Sequence, residues 1–353
     1  MNKRIFYYLL AFNSCAVSAA PMDAFTTISS FQPDQDLTLT GSFDYFKAKS
    51  KAKNDNQRDY QGFTLGSRYV ISPEWYTDMY YWDRTIKYGA NDNDIQSWKL
   101  GLNYVPELNL SHDDTLSFGL SFWGNYADEF NKSSRTKYQQ YTLSETSLKK
   151  PKDFQLQLDA IYSKKLNNHH TINAFANAAY SKVQTDAISG VFNNKNCNFD
   201  IHIDKDNQLN GQLQSPCTLN NTVVNNMTIS ADASQYGIDI QKQLNYDAGI
   251  FGLGLNWQWQ YENFKTLLGY NFQYYARDIP DNGFYEQKER KTNHIFALEM
   301  SYSFHPEWEI YLQNQFFTHS FVGTIPSLYN PITASAMDKS YDYVSLGIRF
   351  TPF

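Results

Sequence analysis

Tyr341-Asp-Tyr-Val-Ser-Leu-Gly-Ile-Arg-Phe-Thr-Pro-Phe353 closes the chain. In an extended strand, successive side chains point to opposite faces. Val344, Leu346, Ile348 and Phe350 therefore share one face, and Ser345, Gly347 and Arg349 share the other. The apolar phase stops at Phe350. Phe353 falls three residues on, out of phase, behind Pro352.

The same period of two recurs upstream. Leu37 to Tyr45 is apolar or Gly at odd positions. Phe63, Leu65, Tyr69 and Ile71 oppose Thr64, Gly66 and Arg68. Trp98, Leu100, Leu102 and Tyr104 oppose Lys99, Gly101 and Asn103. Leu116 to Phe122, Phe154 to Tyr162, Leu268 to Tyr274 and Phe296 to Phe304 repeat the pattern. This is strand periodicity, not helical periodicity. A soluble β-sandwich also alternates, but its outward side is charged. Here the polar side is mostly Gly, Ser, Asn and Gln, with sparse charge, which suits a confined, water-facing interior.

Composition agrees. Of 353 residues, 27 are Tyr and 25 are Phe, far more aromatic rings than one soluble core of this size needs. Amphipathic rings suit a lipid boundary. No apolar run past the N-terminus approaches the roughly 18 residues of a membrane-spanning helix. Asn2-Lys3-Arg4, the apolar Ile5 to Phe12 and the small residues Val17-Ser18-Ala19 read as a signal peptide over 1–19. Residues 20–35 lack alternation and are expected to form a periplasmic or lumenal lead-in. Removing 1–19, which holds Lys3 and Arg4 but no acid, moves the formal charge from -6 to -8. Acidic balance argues against a nucleic-acid partner.

Connections alternate in length. Short ones fall at Ser72-Pro-Glu-Trp75, Asn167 to His170, Tyr261 to Phe264 and His305-Pro-Glu-Trp308. Long polar ones fall at Lys47 to Asp59, Asn131 to Lys152, Asp186 to Asn226, Arg277 to Lys291 and Thr324 to Ser340.

In these features the chain resembles the outer-membrane β-barrels of Gram-negative bacteria, porin-like ones included. No subfamily motif accompanies the resemblance. It implies an all-β, transmembrane, antiparallel up-and-down barrel over 36–353, with short turns in the periplasm and long loops outside. It also implies that the final strand, through Tyr343, Leu346, Gly347, Phe350 and Phe353, is read by the barrel-insertion machinery. Both ends of such a barrel lie in the periplasm, so the strand count is even. Counting every alternating run gives thirteen. Treating 227–263 as one long descending strand with irregularities near Ser234 and Asp247 gives twelve; a further crossing near 187–250 would give fourteen. Outer-membrane lipid and lipopolysaccharide are the expected surroundings.

Cys197 and Cys217 remain after signal removal, and an isolated pair in an exported chain most simply forms a disulfide. It would pin a long extracellular loop at 187–226. With His202 between them the pair is a weak zinc pattern, one ligand short. No cofactor is implied.

Enzymatic signals are sparse. Asp92-Asn-Asp94 and Asp200-Ile-His202 resemble the paired acids and Asp-x-His of the omptin proteases, but only as two tripeptides. His294 and His319 could serve a barrel phospholipase, but no nucleophile motif accompanies them. Trp257 and Trp259 read as lipid-boundary rings. The alternation places Arg68, Lys99, Asp159, Lys265, Glu299, Gln313, Gln315, His319 and Arg349 on the lumenal side. Fixed charges there would set the field felt by a passing solute. The expected function is passive passage of small hydrophilic or amphipathic solutes. The alternatives are a plugged barrel acting as a surface adhesin or receptor, or a barrel hydrolase of protease or lipase type.

Overall fold

The computed structural model describes residues 36–46, 60–88, 91–108, 113–132, 135–138, 141–194, 197–219, 222–279, 289–319, 325–330 and 340–352. The expected signal peptide and lead-in, and Phe353, lie outside them.

Alternating apolar and small polar residues form β1 (Leu37–Phe46), β2 (Tyr60–Ser72), β3 (Trp75–Tyr88), β4 (Asn91–Tyr104) and β5 (Asp114–Tyr126). The chain then leaves the barrel for β6 (Glu129–Lys132), β7 (Thr136–Tyr138) and β8 (Tyr141–Lys149). It returns in β9 (Lys152–Lys165) and β10 (His170–Gln184). A second excursion makes β11 (Ala187–Asn194), β12 (Cys197–Asp204), β13 (Gln208–Leu213), β14 (Cys217–Leu219), β15 (Thr222–Val224), β16 (Thr228–Asp232) and the short helix α1 (Ile240–Gln243). The barrel is completed by β17 (Tyr246–Tyr261), β18 (Phe264–Arg277), β19 (Thr292–His305), β20 (Trp308–Phe317) and β21 (Tyr341–Phe350).

Twelve antiparallel strands close in the order β1-β2-β3-β4-β5-β9-β10-β17-β18-β19-β20-β21. Closure sets β21 against β1, with Arg349 opposite Thr40 and Ser345 opposite Asp44. A closed barrel leaves no backbone edge unpaired, the condition for strands to cross a bilayer.

The outer wall is apolar and uncovered: Phe43 is 79% exposed, Leu158 60% and Leu253 62%. An apolar band of this extent has no place in water and belongs in lipid. Rings gather at the ends of the strands carrying short turns, where the ring centres of Trp308 and Phe350 lie 4.5 Å apart and those of Trp75 and Tyr104 4.6 Å apart, both pairs tilted. The fold is thus an outer-membrane β-barrel. Inside, rings lie flat across glycines of the next strand. A Cβ on Gly66 would come within 2.4 Å of the Tyr80 ring, and one on Gly347 within 2.3 Å of the Tyr311 ring.

The stretch 227–263 differs from expectation. Only β17 belongs to the barrel, and β16 joins a separate sheet. Local capping breaks the strand. Asp232 accepts from Ser234 N, Gly237 takes a left-handed φ of 80°, and Asp239 caps α1 through Lys242 N. The barrel count is twelve nonetheless. The short–long alternation also reverses once: two residues join β3 to β4 at the end of the barrel that otherwise carries the long connections, and nine join β4 to β5 at the end that otherwise carries the short ones.

The extracellular excursions pair in the order β16-β13-β12-β11-β8-β6, with β7 on β8. The stretch between the cysteines forms the antiparallel hairpin β12–β13, which is part of this broader sheet. The Cys197–Cys217 disulfide ties β12 to the β14–β15 hairpin, which removes both thiols from any zinc site. Leu143, Leu148, Ile188, Phe199, Ile201 and Ile203 from this sheet share one apolar cluster with Trp82, Ile95, Tyr275 and Phe317 at the barrel mouth.

Candidate functional site in the barrel lumen

Three groups of side chains fill the lumen. Toward the periplasmic end, Arg349 of β21 bonds Glu299 of β19 at 2.9 Å and also Glu309 of β20. Lys265 of β18 meets Glu309 at 2.9 Å. Four adjacent strands thus supply two bases and two acids. Arg349 also lies 4.1 Å from the centre of the Tyr311 ring. Beside this group, Asp44 accepts hydrogen bonds from Thr64 at 2.7 Å, Ser42 at 3.1 Å and Ser345.

A second group lies on β2 to β4 and β9. Lys99 sits 3.5 Å from Asp78 and within the field of Asp159. Asp78 accepts from Asn103 and Asp159 from Gln157, each at 2.7 Å. Arg68 lies over the Tyr76 ring. Ile161, Phe175, Leu267 and Ala297 pack together on the lumenal phase of β9, β10, β18 and β19.

The third group closes the extracellular mouth. Arg84 bonds Ser97 and Asn125, and Asn125 donates to Asp153 at 2.6 Å. Asp153 then accepts from the backbone N–H of Ser327 at 2.9 Å. Ser327 belongs to Ile325–Asn330, part of the connection from β20 to β21, and all six of its residues are buried. Tyr246 donates its hydroxyl to Pro326 O at 2.7 Å. Arg277 lies 4.0 Å from the Tyr329 ring centre, and the Tyr329 hydroxyl accepts from Arg290 N. Ile325, Leu328 and Tyr329 complete the apolar cluster with Trp82, Trp123 and Ile295.

Eight of the nine residues expected to face the lumen stand on the inward phase of barrel strands. His319 does not: β20 ends at Phe317, and the His319 backbone is bonded to Asn293. Gln313 and Gln315 are fully buried, as is Gln155. Both side-chain amide atoms of Gln315 lack a protein hydrogen-bond partner among the described residues. Buried amides of this kind are ordinarily satisfied by internal water, so the wall there is polar and wettable.

Sequence reading missed Asp44, Asp78, Arg84, Asp153, Arg277 and Glu309. Asp78 and Arg84 were hidden because β3 carries rings on both faces: Tyr76, Tyr80 and Trp82 point inward while Trp75 and Tyr81 point outward. The others occupy lumenal positions that the alternation itself marks. On β21, Leu346 faces lipid and Gly347 faces Tyr311.

The hydrolase residues are not assembled. Asp94 accepts from Thr85 on the outer phase of β4, where Asp92 also stands exposed. Asp200 accepts from Gln214, and His202 bonds Ser189, both on the exposed face of the extracellular sheet. His294 points to the outer wall, bonded to Tyr270. Among the described residues, no group of three or more His, Cys, Asp or Glu converges as a metal site.

No family model and no curated protein sequence matches the chain. Solved structures similar to it are outer-membrane barrels. The translocator domain of autotransporter NalP from Neisseria meningitidis is 9% identical over 90% of this chain and 88% of its own, with a TM-score of 0.49. The beta domain of the Bordetella autotransporter BrkA is 9% identical over 90% and 100%, at 0.45. The NanC porin is 9% identical over 90% and 100%, at 0.41. At these values the likeness names no subfamily.

Proposed function

We propose that the barrel is a non-enzymatic channel for small hydrophilic or amphipathic solutes, closed in this conformation by its own Ile325–Asn330 segment. The observation that carries the reading is the contrast between plug and wall. The plug is held by side chains at the mouth: Asp153, Tyr246 and Arg277. The wall below it is continuous hydrogen-bonded strand, lined by Lys99, Asp159, Gln155, Gln315, Lys265, Glu299 and Arg349. The plug can leave without breaking a barrel hydrogen bond; the wall cannot. Opposed bases and acids would then confront the solute with a strong transverse field and little net charge.

Liposome swelling tests this. Vesicles carrying a variant with Ile325–Asn330 replaced by six Gly and Ser residues should swell in small neutral sugars faster than vesicles with the unaltered protein. Equal, negligible swelling with correctly folded protein would overturn the channel reading. A second reading, a surface receptor or adhesin, draws support from the broad extracellular sheet. Its exposed face carries Asn198, Asp200, His202, Asn210 and Gln212. Deleting 187–226 would then abolish binding to a surface while leaving barrel insertion intact.

A further inference from the structure

The plug is held the way a ligand is held. Its contacts combine three kinds of recognition within one buried mouth. A carboxylate takes a peptide N–H, Ser327 to Asp153 at 2.9 Å. A phenol hydroxyl donates to a peptide carbonyl, Tyr246 to Pro326 at 2.7 Å. A guanidinium lies over an aromatic ring, Arg277 to Tyr329 at 4.0 Å. Around them, Trp82, Trp123, Ile95, Ile295 and Phe317 give apolar cover to Ile325 and Leu328. An apolar cavity with a few converging polar groups is the usual form of a small-molecule site.

The receiving groups also have partners outside the plug. Asp153 is held by Asn125, which is itself bonded to Ser97 and Arg84 on the neighbouring strands. Arg277 is held by the backbone carbonyl of Arg290 at 2.6 Å and by Glu289 at 3.6 Å. Tyr246 and Tyr275 are buried on barrel strands. With the plug withdrawn, Asp153 and Tyr246 stay on barrel strands, and Asp153 keeps its bond to Asn125. Preorganisation of that kind lowers the cost of binding.

We propose that the extracellular mouth is a binding site for short peptides bearing an aromatic side chain, and that Ile325–Asn330 occupies it as an internal competitor. The inference deepens the channel reading and rests on the plug being able to withdraw. A peptide that matches the plug replaces it: its amide N–H goes to Asp153, its carbonyl takes the Tyr246 hydroxyl, and its ring lies on Arg277.

The probe is the acetylated, amidated hexapeptide Ile-Pro-Ser-Leu-Tyr-Asn, added to the Gly/Ser plug-replacement variant in detergent. Binding is read by quenching or shift of tryptophan fluorescence, since Trp82 and Trp123 belong to the same apolar cluster as Ile325, Leu328 and Tyr329. It should saturate, and the scrambled peptide should bind at least about tenfold more weakly, the loss expected when a hydrogen bond to a charged group goes unmade. Arg277→Ala in the same background should weaken it by roughly threefold to thirtyfold, the range of a desolvated cation–π contact. The unaltered protein should bind the peptide more weakly than the replacement variant, because its own segment competes. Equal binding of scrambled and matching peptides, or no saturable binding, would overturn the inference. Because fluorescence reports binding without requiring conduction, a variant that swells vesicles but ignores the peptide refutes the inference alone. One that binds the peptide but passes nothing refutes the channel alone.

Discussion

Replacing Arg349 isolates the energetics of the lumen. Its guanidinium is 3% exposed and joins Glu299 and Glu309, while Lys265 pairs with Glu309. Arg349→Met keeps length and apolar bulk but takes the paired cation from Glu299, leaving it only the more distant field of Lys265. Stranding a buried charge in this way costs about 3–5 kcal/mol. Loss of the contact with the Tyr311 ring adds about 0.5–2 kcal/mol. The strands flanking the lesion, β19 to β21, close the barrel, so the cost should appear in global unfolding. Urea unfolding in lipid vesicles, followed by tryptophan fluorescence and gel mobility before and after heating, reads it. The double variant Glu299→Gln with Arg349→Met removes the stranded charge and should recover a large part of the loss. A single-variant loss below about 1 kcal/mol would refute the reasoning, because exposed, water-screened pairs are worth no more than that. The lumen would then be open to bulk water at this level.

Three further outcomes follow from particular contacts. Gly66→Ala places a methyl within 2.4 Å of the Tyr80 ring and should destabilise the barrel by about 1–3 kcal/mol, measured by the same unfolding assay; Tyr80→Ala in that background should relieve the clash. Replacing Cys197 and Cys217 with Ala opens a closed loop of 20-residue separation, worth about 3 kcal/mol in the chain-entropy model. The loss should show as faster protease cleavage within 197–219, with heat-modifiable mobility of the barrel unchanged. Asp239, at the N-terminus of α1, is held below the usual carboxylate range: burial pushes it up, but the Asn207 amide and Lys242 outweigh burial. Its stabilisation is therefore complete above about pH 4 and is lost as pH falls through its depressed folded value. Hydrogen exchange over 233–245 should be flat from pH 7 to 5, after correction for intrinsic rates, and should accelerate selectively near pH 3; Asp239→Asn should abolish that selective step.

The barrel was legible because lipid and lumen impose opposite chemistry on alternate residues. Leu346 against Gly347 and Leu298 against Glu299 follow that rule without exception from their neighbours. It failed where both sides are apolar or both are polar. The inward face of β3 carries Tyr76, Tyr80 and Trp82, so its ionic residues Asp78 and Arg84 were masked. The extracellular excursions obey a different two-sided rule, burying Phe199, Ile201 and Ile203 over the mouth. That alternation resembles a barrel strand's, and it is why the crossing count was ambiguous between 187 and 250. The plug carries no periodic signal at all. Ile325-Pro-Ser-Leu-Tyr-Asn330 reads as an ordinary loop, and only the convergence of Asp153, Tyr246 and Arg277, remote from it in sequence, gives it a place. Lumenal direction follows from local alternation; partners across the lumen depend on closure, which no local pattern encodes.

Single-channel recording in planar bilayers reads the plugged and unplugged states of the barrel one molecule at a time. The unaltered protein should sit predominantly closed, and the Ile325–Asn330 replacement should show long, well-resolved conductance steps. Silence from both proteins, each verified as folded by heat-modifiable mobility, would contradict the account, as would equal steps from both.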